Sequence, residues 1–325
     1  MRFRLARTDE YPAGLNLPWA APLDQWPDER CTDVERGLHR NPVRFVTHEG
    51  SIYAIKELLE HVAVREYTML RSLEELRLPV VEPVGLVTDR PVAPGEDPRG
   101  LLVTRFLQHS MPFRHVISRG VTVQQAHQLL DALAELLVNL HLAGFFWGDC
   151  SLSNALFRLD AGRYSAYLVD AETTERHLTI SDGMRTYDID IAVENVVGGL
   201  LELQASGRID YEVDHLAIAG SLRSRYEELW SELTRVEEFD LDDRWRIEQR
   251  VRRINDLGFD VEELSINRDG RTLSVQPVLI EEGHHARELR RRTGLEVQEN
   301  QARRLLSDID QHKAWLERRD GQSIP

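Results

Sequence analysis

Three polar residues in the middle of the chain have the types and spacing of a reaction centre. Asp149 stands five residues before Asn154 in Gly148-Asp149-Cys150-Ser151-Leu152-Ser153-Asn154. Asp170 follows sixteen residues later, closing the apolar run Tyr167-Leu168-Val169. Two carboxylates and an amide in this order suit phosphoryl transfer. One carboxylate can orient and deprotonate an acceptor hydroxyl, while an amide oxygen and a second carboxylate can hold magnesium on the β- and γ-phosphates of a nucleotide. An acid and an amide at this separation arise often by chance, so the elements that would position them decide the matter.

The pattern upstream predicts those elements. Residues 42–56 read as two strands around a turn at Glu49-Gly50, and residues 61–76 as a helix. Glu66, Met69, Leu70 and Leu73 share one face of that helix, and Pro79 ends it. Strands are expected over 80–87 and 100–107, with the Pro- and Gly-rich loop RPVAPGEDPRG between them. Thr122 is a candidate N-cap for a helix through His141, with Leu129, Leu130, Leu133, Leu136, Leu137 and Leu140 inside and Gly144 as its stop. Asp149 and Asn154 then lie in a polar loop, followed by short strands over 155–159 and 164–169. Strands first and helices later predict an α+β arrangement of two lobes. Residues 1–40 hold Pro12, Pro18, Pro22 and Pro27 and are expected to be extended, with Trp19 and Trp26 docked on the next domain. Beyond residue 236 the pattern changes to charged amphipathic helices over 244–257 and 296–316, the second with Leu305, Ile309 and Leu316 in a stripe. A short strand is expected over 271–280. The boundaries drawn are 1–40, 41–110, 111–235 and 236–325.

With these elements in place, the central block resembles the catalytic loop and metal-binding strand end of the protein-kinase-like superfamily, D-x-x-x-x-N followed by a strand and D-F-G. The form G-D-x-x-x-x-N, without His-Arg before the acid, is similar to the aminoglycoside phosphotransferases and the lipopolysaccharide kinases. Tyr53-Ala54-Ile55-Lys56 resembles the V-A-I-K strand, and alternation puts Ala54 and Lys56 on one face. Glu66 resembles the helix acid that pairs with this lysine. The resemblance implies a bilobal fold, with an antiparallel sheet and one helix before a helical lobe. It implies Asp149 as base, Lys56 and Glu66 as its catalytic companions, and Asn154 and Asp170 as magnesium ligands. ATP would meet Ala54, Lys56, Arg105, Phe106, Leu107 and, by a less specific argument, Arg40. Asp188, in Tyr187-Asp188-Ile189-Asp190, resembles the buried acid that braces the catalytic loop and is preferred here to Asp190.

Several positions depart from the superfamily pattern. No G-x-G-x-x-G precedes the lysine strand; residues 36–45 offer a single glycine, Gly37, and the basic side chains Arg36, Arg40 and Arg44. Trp147-Gly148 replaces His-Arg, so a phosphorylation switch through that arginine is not expected. Position 151 is Ser where serine/threonine kinases carry Lys. Asp170-Ala171-Glu172 replaces D-F-G, and Glu172 either adds a metal-facing carboxylate or is a solvated turn acid. The last ninety or so residues resemble a C-terminal domain of unknown function that accompanies kinase-like cores in actinobacterial proteins; the rest of this module is expected to be mostly helical.

Composition narrows the alternatives. Fifty-five acids against 40 Lys and Arg give a formal charge of −15, which argues against a general nucleic-acid binder. The run Arg287 to Arg292 has acids beside it and reads as a solvated helix face. Two cysteines, Cys31 and Cys150, fit no zinc spacing and suit a reduced, cytoplasmic setting. His284-His285, adjacent in sequence, would suggest a metal only with acid partners in place. No apolar run reaches the ~18 residues of a membrane span, and the N-terminus has no apolar signal region. The first expectation is an ATP- and magnesium-dependent phosphotransferase acting on the hydroxyl of a small molecule, glycan or protein. The alternative is a nucleotide-binding pseudokinase or scaffold whose C-terminal domain meets a protein partner. Transfer of a nucleotidyl group is a third.

Overall fold

The computed structural model describes residues 1–6, 17–32, 41–118, 122–160, 163–207, 215–235, 237–238, 244–256, 259–266, 272–279, 284–297 and 299–320. Arg36 and Arg40 lie outside these residues. The chain forms two compact units. One comprises Met1–Arg158 and Ser165–Tyr226, the other Leu159–Tyr164 and Glu227–Pro325.

The first unit begins with an antiparallel sheet of β1 (Arg2–Leu5), β2 (Val43–His48), β3 (Ser51–Leu59), β4 (Pro83–Thr88) and β5 (Arg99–Arg105) in the order β1-β4-β5-β3-β2. The first strand was not anticipated; it pairs Arg2 with Thr88 through Leu5 with Gly85. Helix α1 (Glu60–Glu75) packs against β4 and β5 and buries Ala63, Glu66, Tyr67, Leu70 and Leu73. Gly100 lets it approach, since a Cβ there would lie 3.0 Å from that of Ala63. Residues 17–26 are docked as expected: Trp19, Leu23 and Trp26 form a buried cluster with Val46, Tyr53, Ile55, Val87, Leu101 and Val103.

A helical part follows. After β6 (Ser110–Pro112) and α2 (Phe113–Ser118), Thr122 caps α3 (Val123–Leu142) in a reciprocal capping box with Gln125. All six predicted leucines are buried, Leu129 to Leu140. Gly144 ends the run at φ +83°, and a Cβ there would meet the His177 carbonyl at 2.4 Å. Then come β7 (Phe145–Phe146), β8 (Ala155–Asp160), β9 (Arg163–Leu168) and β10 (Glu175–Arg176), in small sheets ordered β6-β8-β9 and β10-β7. Ser181 caps α4 (Asp182–Ala205) by accepting from Met184 N–H, and α5 (His215–Thr234) follows. The expected α+β order, sheet first and helices after, is the one observed.

In the second unit, β11 (Glu237–Glu238), β12 (Phe259–Ile266) and β13 (Thr272–Leu279) form a sheet ordered β11-β13-β12. Only the last of these strands was expected. Helix α6 (Arg244–Asp256) buries Arg250, whose guanidinium donates to the Glu232 and Arg235 carbonyls of this same unit. Helices α7 (His284–Thr293) and α8 (Glu299–Asp320) meet through Leu289, Ala302 and Leu306. The stripe on α8 is therefore rotated from the predicted one. Leu305 is only partly buried and Ile309 is exposed, because α8 turns Ala302 and Leu306 toward α7.

Candidate active site

Lys56 lies on β3, whose side chains alternate: Tyr53, Ile55 and Glu57 are buried, while Ala54 and Lys56 point the other way and are half-buried. Its ammonium donates to both carboxylate oxygens of Glu66 at 3.1 Å and to Asp170 Oδ2 at 2.7 Å. Two carboxylates thus compete for one ammonium. Burial alone would pull the lysine down, but Glu66 and Asp170 outweigh it and hold it above its ordinary value. Burial pushes Glu66 up to about 8, the Asp170 charge adds to this, and Lys56 opposes both.

Asp170 is fixed from its own turn. Its Oδ1 accepts from the Glu172 N–H at 3.0 Å, and its carbonyl accepts from the Trp147 indole at 3.4 Å. Glu172 is half-buried, and its charge bears on Glu66. The strand leading to Asp170 is tied to the loop before it, because Val169 N–H donates to the Asn154 carbonyl at 3.0 Å.

Two amides hold Asp149, one from the loop and one from α4. Asn154 Nδ2 donates to the Asp149 carbonyl at 3.0 Å and to its Oδ2 at 2.9 Å. Asn195, on α4, donates to Asp149 Oδ1 at 3.4 Å and to the Cys150 carbonyl at 3.1 Å. Asp188, fully buried, accepts from the backbone N–H groups of Trp147 at 2.7 Å and Gly148 at 2.8 Å. Gly148 sits at φ +78°, where a Cβ would meet the Phe146 ring at 2.9 Å, so only glycine presents its N–H this way.

A relay extends from Asp188. His141 Nε2 lies 2.9 Å from its Oδ2, and His141 Nδ1 lies 2.7 Å from the Tyr226 hydroxyl, which accepts from Arg185 at 3.3 Å. These partners assign the tautomer: Tyr226 donates to Nδ1, and Nε2–H donates to Asp188. Burial raises the Tyr226 phenol to about 12, so it remains a donor at ordinary pH.

Among the expected nucleotide contacts, Arg105 directs its guanidinium to Glu82 and Ser51 at 2.9 Å each and over the Tyr53 ring. Phe106 N–H donates to the Ile52 carbonyl, and the Leu107 carbonyl accepts from Ser110. These commitments turn the Arg105 side chain toward its own sheet. Arg40 lies outside the described residues. Asn195, His141 and Tyr226 were not anticipated; an amide two helical turns beyond the Asp188 brace was the available signal for Asn195.

The donors suit a hard cation. Asn154 commits its Nδ2 to Asp149, and Asp170 offers a half-buried carboxylate. An amide oxygen and a carboxylate are donor types that magnesium takes. Among the described residues, no group of three or more His, Cys, Asp and Glu is placed to hold a metal ion, and no helix is long and apolar enough to cross a membrane.

Residues 46–190, which carry every residue of this centre except Asn195 and Tyr226, match the lipopolysaccharide kinase (Kdo/WaaP) family. This is a protein-kinase-like core. Residues 228–324 match a domain of unknown function, DUF4032. A comparison with curated proteins returns no match. A solved structure of WaaP in complex with acyl carrier protein is similar at 19% identity and a TM-score of 0.39, over 71% of this chain and 100% of that one. In the kinase-like core, β3 and α1 supply Lys56 and Glu66, the loop after β7 supplies Asp149 and Asn154, and the end of β9 leads to Asp170.

Proposed function

We propose that the kinase-like core transfers the γ-phosphoryl group of magnesium-bound ATP to a hydroxyl of an acceptor. The observation that carries this reading is the junction of Lys56 with both Glu66 and Asp170, beside an Asp149 carboxylate pinned by Asn154. Lys56 would bind the α- and β-phosphates, and the small Ala54 on the same face would leave room for the base. Asn154 Oδ1 and Asp170 would hold magnesium, which neutralises charge on the transferring phosphoryl group. Asp149 would accept the acceptor's proton as its oxygen bonds to the γ-phosphorus and the bond to the ADP oxygen breaks. The match to the lipopolysaccharide kinase family supports a kinase-type transfer and suggests acceptors with sugar or related hydroxyls.

The test is release or transfer of labelled γ-phosphate by the full-length chain with magnesium. Asp149→Asn should lower turnover by ~10²–10⁴-fold with little change in the KM for ATP, the range for removing a positioned base. Equal turnover in the variant would remove Asp149 from this role. Label arriving from the α-phosphate instead would show nucleotidyl transfer.

A further inference from the structure

One face of α4 follows the catalytic loop residue by residue. Asp188, Ala192, Asn195 and Gly199 stand at i, i+4, i+7 and i+11, so they line one stripe of the helix. Asp188 takes the N–H groups of Trp147 and Gly148. Ala192 is fully buried. Asn195 reaches Asp149 and Cys150. Gly199 faces Leu152: a Cβ on it would fall 2.3 Å from Leu152 Cδ1, so no larger residue fits without displacing that side chain. The helix thus contacts the loop at positions 147, 148, 149, 150 and 152 with a residue suited to each.

We propose that Asn195 is the positioning residue of Asp149. This rests on the reading of Asp149 as the base. The two oxygens of the Asp149 carboxylate are held from opposite partners, Oδ2 by Asn154 and Oδ1 by Asn195. One partner is on the loop itself and can shift with it. The other is on a long helix that, two turns back at Asp188, anchors the same loop by its backbone. Asn195 Nδ2 has two hydrogens, one for the Cys150 carbonyl and one for Asp149 Oδ1. It therefore ties the carboxylate to the backbone beside it and sets the angle at which Asp149 meets an acceptor hydroxyl. A misplacement of about 1 Å in such a group costs on the order of 100-fold in rate.

Asn195→Asp tests this without changing shape, because it exchanges the donor for an acceptor that repels Asp149. Steady-state phosphate release from magnesium-ATP should fall by about 100-fold in kcat, with the KM for ATP held within about twofold. In an Asp149→Asn background the same substitution should change kcat by less than about twofold, since Asn195 acts through Asp149. Asn195→Ala, which lacks the repulsion, should lose less than Asn195→Asp and serves if the latter folds poorly. Losses that multiply in the double variant, or wild-type kcat in Asn195→Asp, overturn the proposal. A wild-type chain that turns over no ATP defeats the phosphotransferase reading by itself. The positioning claim is then decided by the crystal structure of Asn195→Asp: Asp149 rotated off Asn154 supports it, and an unmoved Asp149 overturns it.

Discussion

Lys56 and Glu57 are neighbours on one strand, point to opposite faces of the same sheet, and each enters a buried ion pair. The two pairs are built differently. On the outer face, Glu57 and Arg90 close on themselves. Glu57 accepts from Arg90 and from Leu23 N–H, while Arg90 also donates to the Trp19 and Ala21 carbonyls; the side chains are 5% and 4% exposed. Charge balances there, and the pair clamps residues 19–23 to the sheet. On the inner face, Lys56 answers two carboxylates, and Asp170 remains 27% exposed. That trio sets two carboxyl groups against one ammonium and is open to one side. A buried pair that closes its hydrogen bonds holds structure, whereas the open one would, on the proposed reading, receive a cation and the phosphates it brings.

Breaking each pair should separate these roles. Arg90→Met leaves Glu57 buried and uncompensated, and should destabilise the chain by about 3–5 kcal/mol in urea unfolding. Lys56→Met should cost less than half of that, because Glu66, already pushed up to about 8, can take a proton in place of its partner. Equal losses would erase the distinction. Asp188→Asn keeps one acceptor for the loop amides and loses the other, an effect of about 1–3 kcal/mol, with nucleotide-dependent stabilisation reduced as well.

Protonation sharpens the contrast further. With Glu66 raised above its ordinary 4.5 to about 8, the folded chain holds this proton more tightly than the unfolded chain. The stability it contributes is full below about 4.5 and falls as pH rises through about 8. Glu66→Gln should flatten the stability profile across that window, measured by thermal unfolding at constant ionic strength. The smallest effect expected is chemical. Burial, with the Asp188 and Asp149 charges, drives the Cys150 thiol up, so native protein should alkylate at half-buried Cys31 and spare Cys150. Equal labelling would mean that the loop opens freely.

The sequence showed the parts of the centre whose identity is tied to a fixed spacing. Asp149 and Asn154 are five residues apart in one loop, Lys56 is set by strand alternation, and Glu66 by its place on an apolar helical stripe. The α+β order was legible because period-2 and period-3.6 segments come in blocks. Other features depend on pairing across long separations. Glu57 and Arg90 are 33 residues apart and look like ordinary strand and loop charges. Asn195 and His141 gain meaning only when α3 and α4 bring them to the loop. Strand β1 carries a weak signal, because its polar residues alternate with only two apolar ones, Phe3 and Leu5. On α8 the face against α7 is marked by the small Ala302 together with Leu306, which sets its phase apart from the Leu305, Ile309 and Leu316 stripe.

The central claim is that Asp170, Asn154 and Lys56 form a magnesium-nucleotide site. Calorimetric titration of the full-length chain with a non-hydrolysable ATP analogue, with magnesium and with chelator, tests it most directly. Saturable binding that requires magnesium and disappears in Asp170→Ala is the predicted result. Binding that is indifferent to magnesium, or unchanged in Asp170→Ala, would contradict it.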